Sequence, residues 1–303
     1  MCGADHQGGP ETCPKRRSGE AIAGKYLLEG VIGCGGIAAV YAAHHQLLRR
    51  DVALKILHKR YAKDLELATR FIREARETAA LGHPAFVAVH DAGVADDGCA
   101  FIEMDRLEGY DLFSIRNERV IDPPRAVHIA IAVLDALEAL HGRGVIHRDL
   151  KSANIYIEAG TERVRLLDLG FAKANDAHQM TDPDQLLGTA LYMSPEQCFD
   201  PRSVDGRADL FSLGVVLFEV MTGEYPYTFV AKRELLNKVM RGDMERHPAA
   251  RRPDVPAWLD AIVARSLAFD RTHRFANARE MREALERGAR TVRPSLLRRL
   301  LGR

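Results

Sequence analysis

The hydrophobic pattern of this chain changes period near Leu107, and that change limits the fold more than any other feature. Before it, Tyr26-Leu27-Leu28, Val31-Ile32, the run from Gly33 to Tyr41, and Asp51 to Leu57 are short β-rich segments joined by tight turns. Such a series argues for an antiparallel sheet. One helical stretch interrupts it, from about Lys63 to Leu81, with Leu67, Phe71, Ala75 and Ala79 roughly a turn apart. The runs Phe86–Val89 and Cys99–Met104 are expected to complete the β-rich part. Beyond Leu107 the period is helical. Ala126–Leu140 is apolar on nearly all sides, as a central buried helix should be, and Leu210–Thr222 is a second of that kind. Weaker amphipathic helices are expected near 231–241, 257–267 and 277–287. Sheet first and helices after predict an α+β chain in two lobes with a cleft between them.

The bulk numbers exclude several classes. Lys+Arg (43) and Asp+Glu (42) nearly cancel, so no global field points to nucleic acid. Five Cys, at positions 2, 13, 34, 99 and 198, form neither a disulfide framework nor a zinc-ligand pattern, and a reducing cytoplasm is the simplest setting. No run reaches the roughly 18 apolar residues of a membrane span. The nearest, Leu210 to Met221, carries Ser212, Gly214 and Glu219 and reads as a buried helix. Residues 1–24, rich in Gly, Pro and charge, are expected to be a flexible leader. One catalytic domain is expected over 25–287, its lobes meeting at 107/108, followed by a basic tail over 288–303.

The chemistry concentrates in eight residues, His147-Arg148-Asp149-Leu150-Lys151-Ser152-Ala153-Asn154, set between the apolar runs Val145-Ile146 and Ile155-Tyr156-Ile157. Polar groups this dense suit a loop held rigid by its neighbours. An Asp can accept a proton from an attacking hydroxyl. A Lys two residues on can neutralise a group in transfer, and an Asn five residues after the Asp can ligate a hard cation. The combination suits phosphoryl transfer, where positioning and charge stabilisation do most of the catalysis.

The octet resembles the catalytic loop of eukaryotic-like (Hanks-type) serine/threonine protein kinases, and the wording GTALYMSPEQ resembles the bacterial branch. The resemblance implies the bilobal protein-kinase fold: a small, mainly antiparallel β N-lobe with one helix, and a larger helical C-lobe. It implies transfer of the γ-phosphate of Mg-ATP to Ser/Thr hydroxyls of protein substrates, with Mn²⁺ as an alternative to Mg²⁺. Asp149 would orient the hydroxyl, Lys151 screen the γ-phosphate, and Asn154 and Asp168 hold the metal. The stretch Ile32-Gly33-Cys34-Gly35-Gly36-Ile37-Ala38 with Val40 resembles the phosphate loop, with Ala38 where the third glycine stands. Ala53 and Lys55 match the third-strand lysine motif. The partner of Lys55 is expected to be Glu74, with Glu77 as the alternative. Met104 matches the gatekeeper, the backbones of Asp105 and Leu107 the adenine contacts, and Asp111 the ribose contact.

Further along, Leu167-Asp168-Leu169-Gly170 matches the metal-binding DFG element with Leu in place of Phe, and Ser194-Pro195-Glu196 matches APE. By the resemblance Thr189 bonds Asp149 and Lys151, and Glu196 pairs with Arg274. Asp209 holds the catalytic loop through its backbone N–H groups, His147 and Arg148 support that loop, and Thr181 is the phosphosite that Arg148 would meet. Autophosphorylation through a transient homodimer goes with this reading. Two alternatives stand beside it: a nucleotide-binding pseudokinase scaffold and a small-molecule phosphotransferase of related fold. For the C-terminal Leu/Arg segment, with Leu296, Leu297, Leu300 and Leu301 on one helical face, the alternative to a frayed tail is a membrane-surface helix.

Overall fold

The computed structural model describes residues 17–168, 188–229 and 231–291. The chain divides into two units, Met1–Glu108 and Gly109–Arg303. The first holds a six-stranded antiparallel sheet in the order β1-β2-β3-β4-β6-β5. Its strands are β1 (Ala21–Ile22), β2 (Tyr26–Cys34), β3 (Ala38–His45), β4 (Arg50–Leu57), β5 (Val89–Val94) and β6 (Ala100–Met104). Helix α1 (Leu65–Leu81) starts on the side chain of Asp64, which accepts from the Leu67 N–H at 2.9 Å. It stops at Gly82, whose φ of 58° suits a residue without Cβ.

Strands β3 and β4 read as continuous apolar runs because both faces of the sheet are covered. On one face Tyr26, Tyr41, Leu54 and Phe101 form a core; on the other Ala38, Leu57 and Ile102 pack with Phe71 and Ala75 of α1. The first of these cores exists because the sheet coils until its far edges approach. Lys25 and Tyr26, at the start of β2, both reach Asp91 on edge strand β5 at 3.0 Å. The Tyr26 hydroxyl also lies 2.8 Å from Glu103, a buried carboxylate to which Arg50 donates as well. Buried carboxylates are tolerated where such donors surround them.

Three sequence expectations shift. Residues 17–24 are not a loose leader. Arg17 is only 9% exposed and donates to Glu20 at 2.8 Å and Asp97 at 2.7 Å, while Ala21–Ile22 pairs with β2. A two-residue strand is too short to show a period. The strand expected at Phe86–Val89 runs instead from Val89 to Val94, with Phe86 and Val87 buried in the approach to it. Asp91 is held by the ladder to β6, His90 falls at the register shift just before it, and their own alternation does not announce the strand. On α1 the buried positions are Ala68, Phe71, Glu74, Ala75 and Leu81, whereas Ala79 is exposed.

The second unit has a three-stranded antiparallel sheet, β7 (Gly109–Asp111), β8 (Ile155–Glu158) and β9 (Val164–Leu166). A Cβ at Gly109 would stand 2.1 Å from the Ile157 carbonyl oxygen, so only glycine lets β7 approach β8 this closely. Around the sheet lie α2 (Leu112–Glu118), α3 (Pro123–His141), α4 (Pro195–Phe199), α5 (Arg207–Thr222), α6 (Lys232–Arg241), α7 (Ala257–Ser266) and α8 (Ala278–Thr291). Helix α5 is buried without interruption from Ala208 to Met221, polar Asp209, Ser212 and Glu219 included. Helix α8 continues to Thr291, so the tail expected from 288 begins inside a helix. Ion pairs one turn apart, Glu283–Arg287 and Glu286–Arg290, accompany that extension. Among the described residues no helix is long and apolar enough to cross a membrane.

Candidate active site

The polar octet of the second unit forms no strand; only Ser152–Asn154 makes a single 3₁₀ turn. Its shape comes from Asp209 in the first turn of α5. One carboxylate oxygen accepts the His147 N–H at 2.9 Å, and the other accepts the Arg148 N–H at the same distance. The first oxygen also takes a hydrogen bond from His141 Nε2 at 2.7 Å, at the end of α3. Burial alone would raise the Asp209 pKa. The bond and charge of His141 and the His147 backbone donor reverse this and hold the carboxyl below its ordinary value. The clamp supports a strained residue: Arg148 sits at φ 63°, in the left-handed region non-glycine residues seldom occupy.

Arg148 is also held from the other side. Gln197 Nε2 donates to its carbonyl at 3.1 Å, and Gln197 is itself placed by the capping box of α4, where Ser194 N–H meets its Oε1 at 3.0 Å. Within the loop, Asp149 is buried and flanked by donors. Lys151 Nζ and Asn154 Nδ2 each lie 3.2 Å from its Oδ2, and Asn154 Nδ2 also meets its backbone carbonyl at 2.8 Å. Donors on this side fix the orientation of the carboxylate. With its nitrogen end turned toward Asp149, the Asn154 amide turns its oxygen the other way. The Leu167 N–H bonds the Asn154 carbonyl at 2.9 Å and brings the chain to Asp168, which sits at φ 48°. Amide and carboxylate oxygens of this kind fit a hard divalent cation.

His147 is fully buried, and neither ring nitrogen has a hydrogen-bond partner among the described residues. Burial pushes its pKa down, which favours the uncharged ring. Glu196 and Arg274 meet as expected, in a bidentate pair at 2.6 and 2.9 Å. Arg274 is buried, donates to the carbonyls of Ala268 (2.7 Å) and Phe269 (3.0 Å), and lies over the Phe211 ring. Thr189 is buried. Asp111 caps α2, accepting the Ser114 N–H at 2.8 Å and hydroxyl at 2.7 Å.

Sequence reasoning missed a second buried anchor on α5. Glu219 accepts the Tyr192 hydroxyl at 2.7 Å and the Ser152 hydroxyl at 3.2 Å, with Arg116 Nε 3.6 Å away. Burial raises its pKa more than these partners lower it. It ties the catalytic loop (Ser152) to the segment before α4 (Tyr192). The signal was present: a carboxylate inside an apolar helix must have partners.

In the first unit Lys55, on β4, lies 3.3 Å from Glu74 on α1, both buried, with the ammonium over the Phe71 ring. Glu77 pairs instead with Arg73 at 2.6 Å on the helix surface, so Glu74 is the partner. The glycine stretch turns between β2 and β3, closed by the Gly35 N–H on the Ala38 carbonyl at 2.9 Å. Ala38 replaces glycine for a packing reason: its methyl is buried with Leu57 and Phe71. Ile32, Cys34 and Gly35 are exposed, whereas Gly33, Gly36, Ile37 and Val40 are half-buried. Ala53 is buried opposite Met104 in the ladder. The Asp105 N–H is bonded to the Ala88 carbonyl at 3.0 Å and its carboxylate to His90 at 2.6 Å. Leu107 follows in the same irregular stretch. Leu169, Gly170, Thr181 and the leucines of the C-terminal tail lie outside the described residues.

Comparison with known proteins finds relatives over most of the chain. Residues 26–286 match the family model described as protein kinase domain. The serine/threonine-protein kinase PknB of Mycobacterium tuberculosis is 39% identical over 272 residues, covering 88% of this chain and 43% of that protein. The serine/threonine-protein kinase PknJ of Mycobacterium bovis is 37% identical over 273 residues, covering 88% of this chain and 46% of that protein. The chain thus spans less than half the length of these curated relatives. The crystal structure of the M. tuberculosis PknI kinase domain superposes with a TM-score of 0.69 at 30% identity, covering 90% of this chain and 98% of that one.

Proposed function

This chain belongs to the protein kinase family, and on that premise we propose that it transfers the γ-phosphate of ATP to Ser/Thr hydroxyls of proteins. The observation that carries the proposal is Asp149, bonded by Lys151 and Asn154 in a loop fixed by Asp209. Asp149 accepts the hydrogen bond of the substrate hydroxyl, orients its oxygen and takes up its proton as the new O–P bond forms and the bond from the γ-phosphorus to the bridging oxygen breaks, releasing ADP. Lys151 sets a positive charge beside the group in transfer. Lys55, held by Glu74, takes the α/β-phosphates in the first unit, and the turn Gly33–Ala38 offers backbone N–H groups to the phosphates. Met104, Asp105 and Leu107 take the base and Asp111 the ribose. Asn154 and Asp168 hold Mg²⁺ or Mn²⁺, which when bound neutralises phosphate charge.

The rest of the reading follows from these roles. The catalytic domain begins at the Arg17–Asp97 pin and ends with α8. Thr181 is the activation phosphosite, reached by autophosphorylation in a transient homodimer. Phosphopeptide mapping of residues 171–193 after incubation with ATP tests it, and a segment free of phosphate refutes it. A cytoplasmic setting is supported by the free thiols of Cys34, Cys99 and Cys198. The central test is transfer of labelled γ-phosphate to a protein acceptor by wild type and Asp149→Asn. The variant should lose a factor of about 10² to 10⁴ while still binding ATP. Equal incorporation by both defeats the role of Asp149, and nucleotide binding without transfer by wild type makes the chain a scaffold.

A further inference from the structure

Three successive carbonyls of the glycine turn are held by one short segment just after β4. His58 Nε2 lies 2.8 Å from the Gly35 carbonyl oxygen, Arg60 donates to the Gly36 carbonyl, and the His58 N–H bonds the Ile37 carbonyl at 2.8 Å. Facing a carbonyl, Nε2 must carry the proton, so the imidazole is a donor there. Burial pushes the His58 pKa down, yet the neutral Nε2–H tautomer makes the same bond. The guanidinium of Arg60 is steadied over the Tyr61 ring, 4.9 Å from its centroid.

An extended chain turns successive carbonyls to opposite sides. Three pulled to one neighbour mean that the returning limb of the turn is held in a particular orientation. Every described peptide bond is trans, so each carbonyl points opposite to the N–H of the next residue. Fixing the Gly35 and Gly36 carbonyls toward His58 and Arg60 therefore fixes the N–H groups of Gly36 and Ile37 away from them. Neither N–H has a protein acceptor among the described residues. Two oriented, unsatisfied backbone donors in succession form an anion-binding concavity.

We propose that His58 and Arg60 are positioning residues for the nucleotide: they latch the glycine turn so that the Gly36 and Ile37 amides stand ready for phosphate oxygens. The proposal rests on the kinase reading and adds to it two residues outside the glycine turn and the Lys55 strand motif. Without the latch a glycine-rich turn samples many orientations, and ordering it must be supplied by the nucleotide at the expense of affinity.

The test compares wild type, His58→Ala, His58→Gln, Arg60→Ala and the double alanine variant. Steady-state transfer gives kcat and KM for ATP, and calorimetry gives Kd for Mg-ADP. Each alanine variant should raise KM and Kd by roughly three- to tenfold, with kcat within about twofold and an unchanged melting temperature. Glutamine, whose amide also donates, should restore most of the affinity at position 58. Unchanged KM and Kd in the single alanine variants overturn the latch. So does a fall in kcat and melting temperature that His58→Gln shares, since it marks a merely structural role. A wild-type protein that neither binds Mg-ADP nor transfers phosphate overturns the kinase reading instead.

Discussion

Lys55 and Asp149 are held by opposite strategies. Lys55 stands on β4, whose direction and register are fixed by ladders to β3 and β6 on its two sides. The strand delivers the side chain, and the Glu74 carboxylate steadies its tip. Asp149 stands in a loop with no ladder at all, and its position depends on buried side chains from elsewhere: Asp209 and, through Ser152, Glu219, both on α5, with Gln197 and His141 beside them. A functional residue on a regular element borrows rigidity from the backbone. One on a loop needs a dedicated polar network of buried side chains.

That contrast can be broken most directly at its two anchors. Asp209→Ala leaves His141 Nε2 and the His147 and Arg148 N–H groups without their acceptor. It should cost the second unit about 3–5 kcal/mol, with transfer lost alongside. Urea unfolding followed by the fluorescence of Trp258, the one tryptophan of the chain, reads that unit. Glu74→Gln should behave differently. Transfer should fall by roughly ten- to a hundredfold through loss of a charge-assisted contact to Lys55, while stability changes by less than about 1 kcal/mol. If Glu74→Gln destabilises as much as Asp209→Ala, the proposed difference between the two regions is wrong.

Acid sharpens the same comparison. The folded pKa of His147 lies below 6.5, so its contribution is complete above pH 6.5 and is lost as pH falls through the folded value. Asp209, depressed from 3.8, adds a further loss in more acidic solution. The urea midpoint read at Trp258 should therefore drop as the solution is taken from about pH 7 to about pH 5. His147→Leu should flatten that drop, and an equal slope in the variant would remove His147 from the account. The smallest effect is expected at Ala38→Gly, which should lose about 0.5–1 kcal/mol in thermal unfolding with little change in KM. A gain in stability would show that the Ala38 methyl does not stabilise the core.

Much of the site was legible in the residues. Asp149, Lys151 and Asn154 could be named because their chemistry sits at short fixed spacings, and Asp168 through the resemblance. Lys55 could be named through its resemblance to the third-strand lysine motif, with apolar neighbours on both sides as support. The meetings of Glu196 with Arg274 and of Asp209 with the loop backbone were legible only through resemblance, since 78 and about 60 residues separate the partners. The choice of Glu74 over Glu77 was open until the helix was placed. Gln197, Tyr192, His58 and Arg60 left no usable trace, for each is an ordinary polar residue until a distant backbone group arrives beside it.

By itself the sequence determined the local periods: a β-rich first half with one helix, a helical second half, and a polar octet that no regular element could absorb. These follow from side-chain alternation, backbone propensity and the cost of burying charge, all of which act over a few residues. Only the tertiary structure decided the pin at Arg17, the limits of β5, and which buried groups hold the loops. Those outcomes depend on contacts between segments far apart in the chain, where one partner's residues carry no record of the other's position.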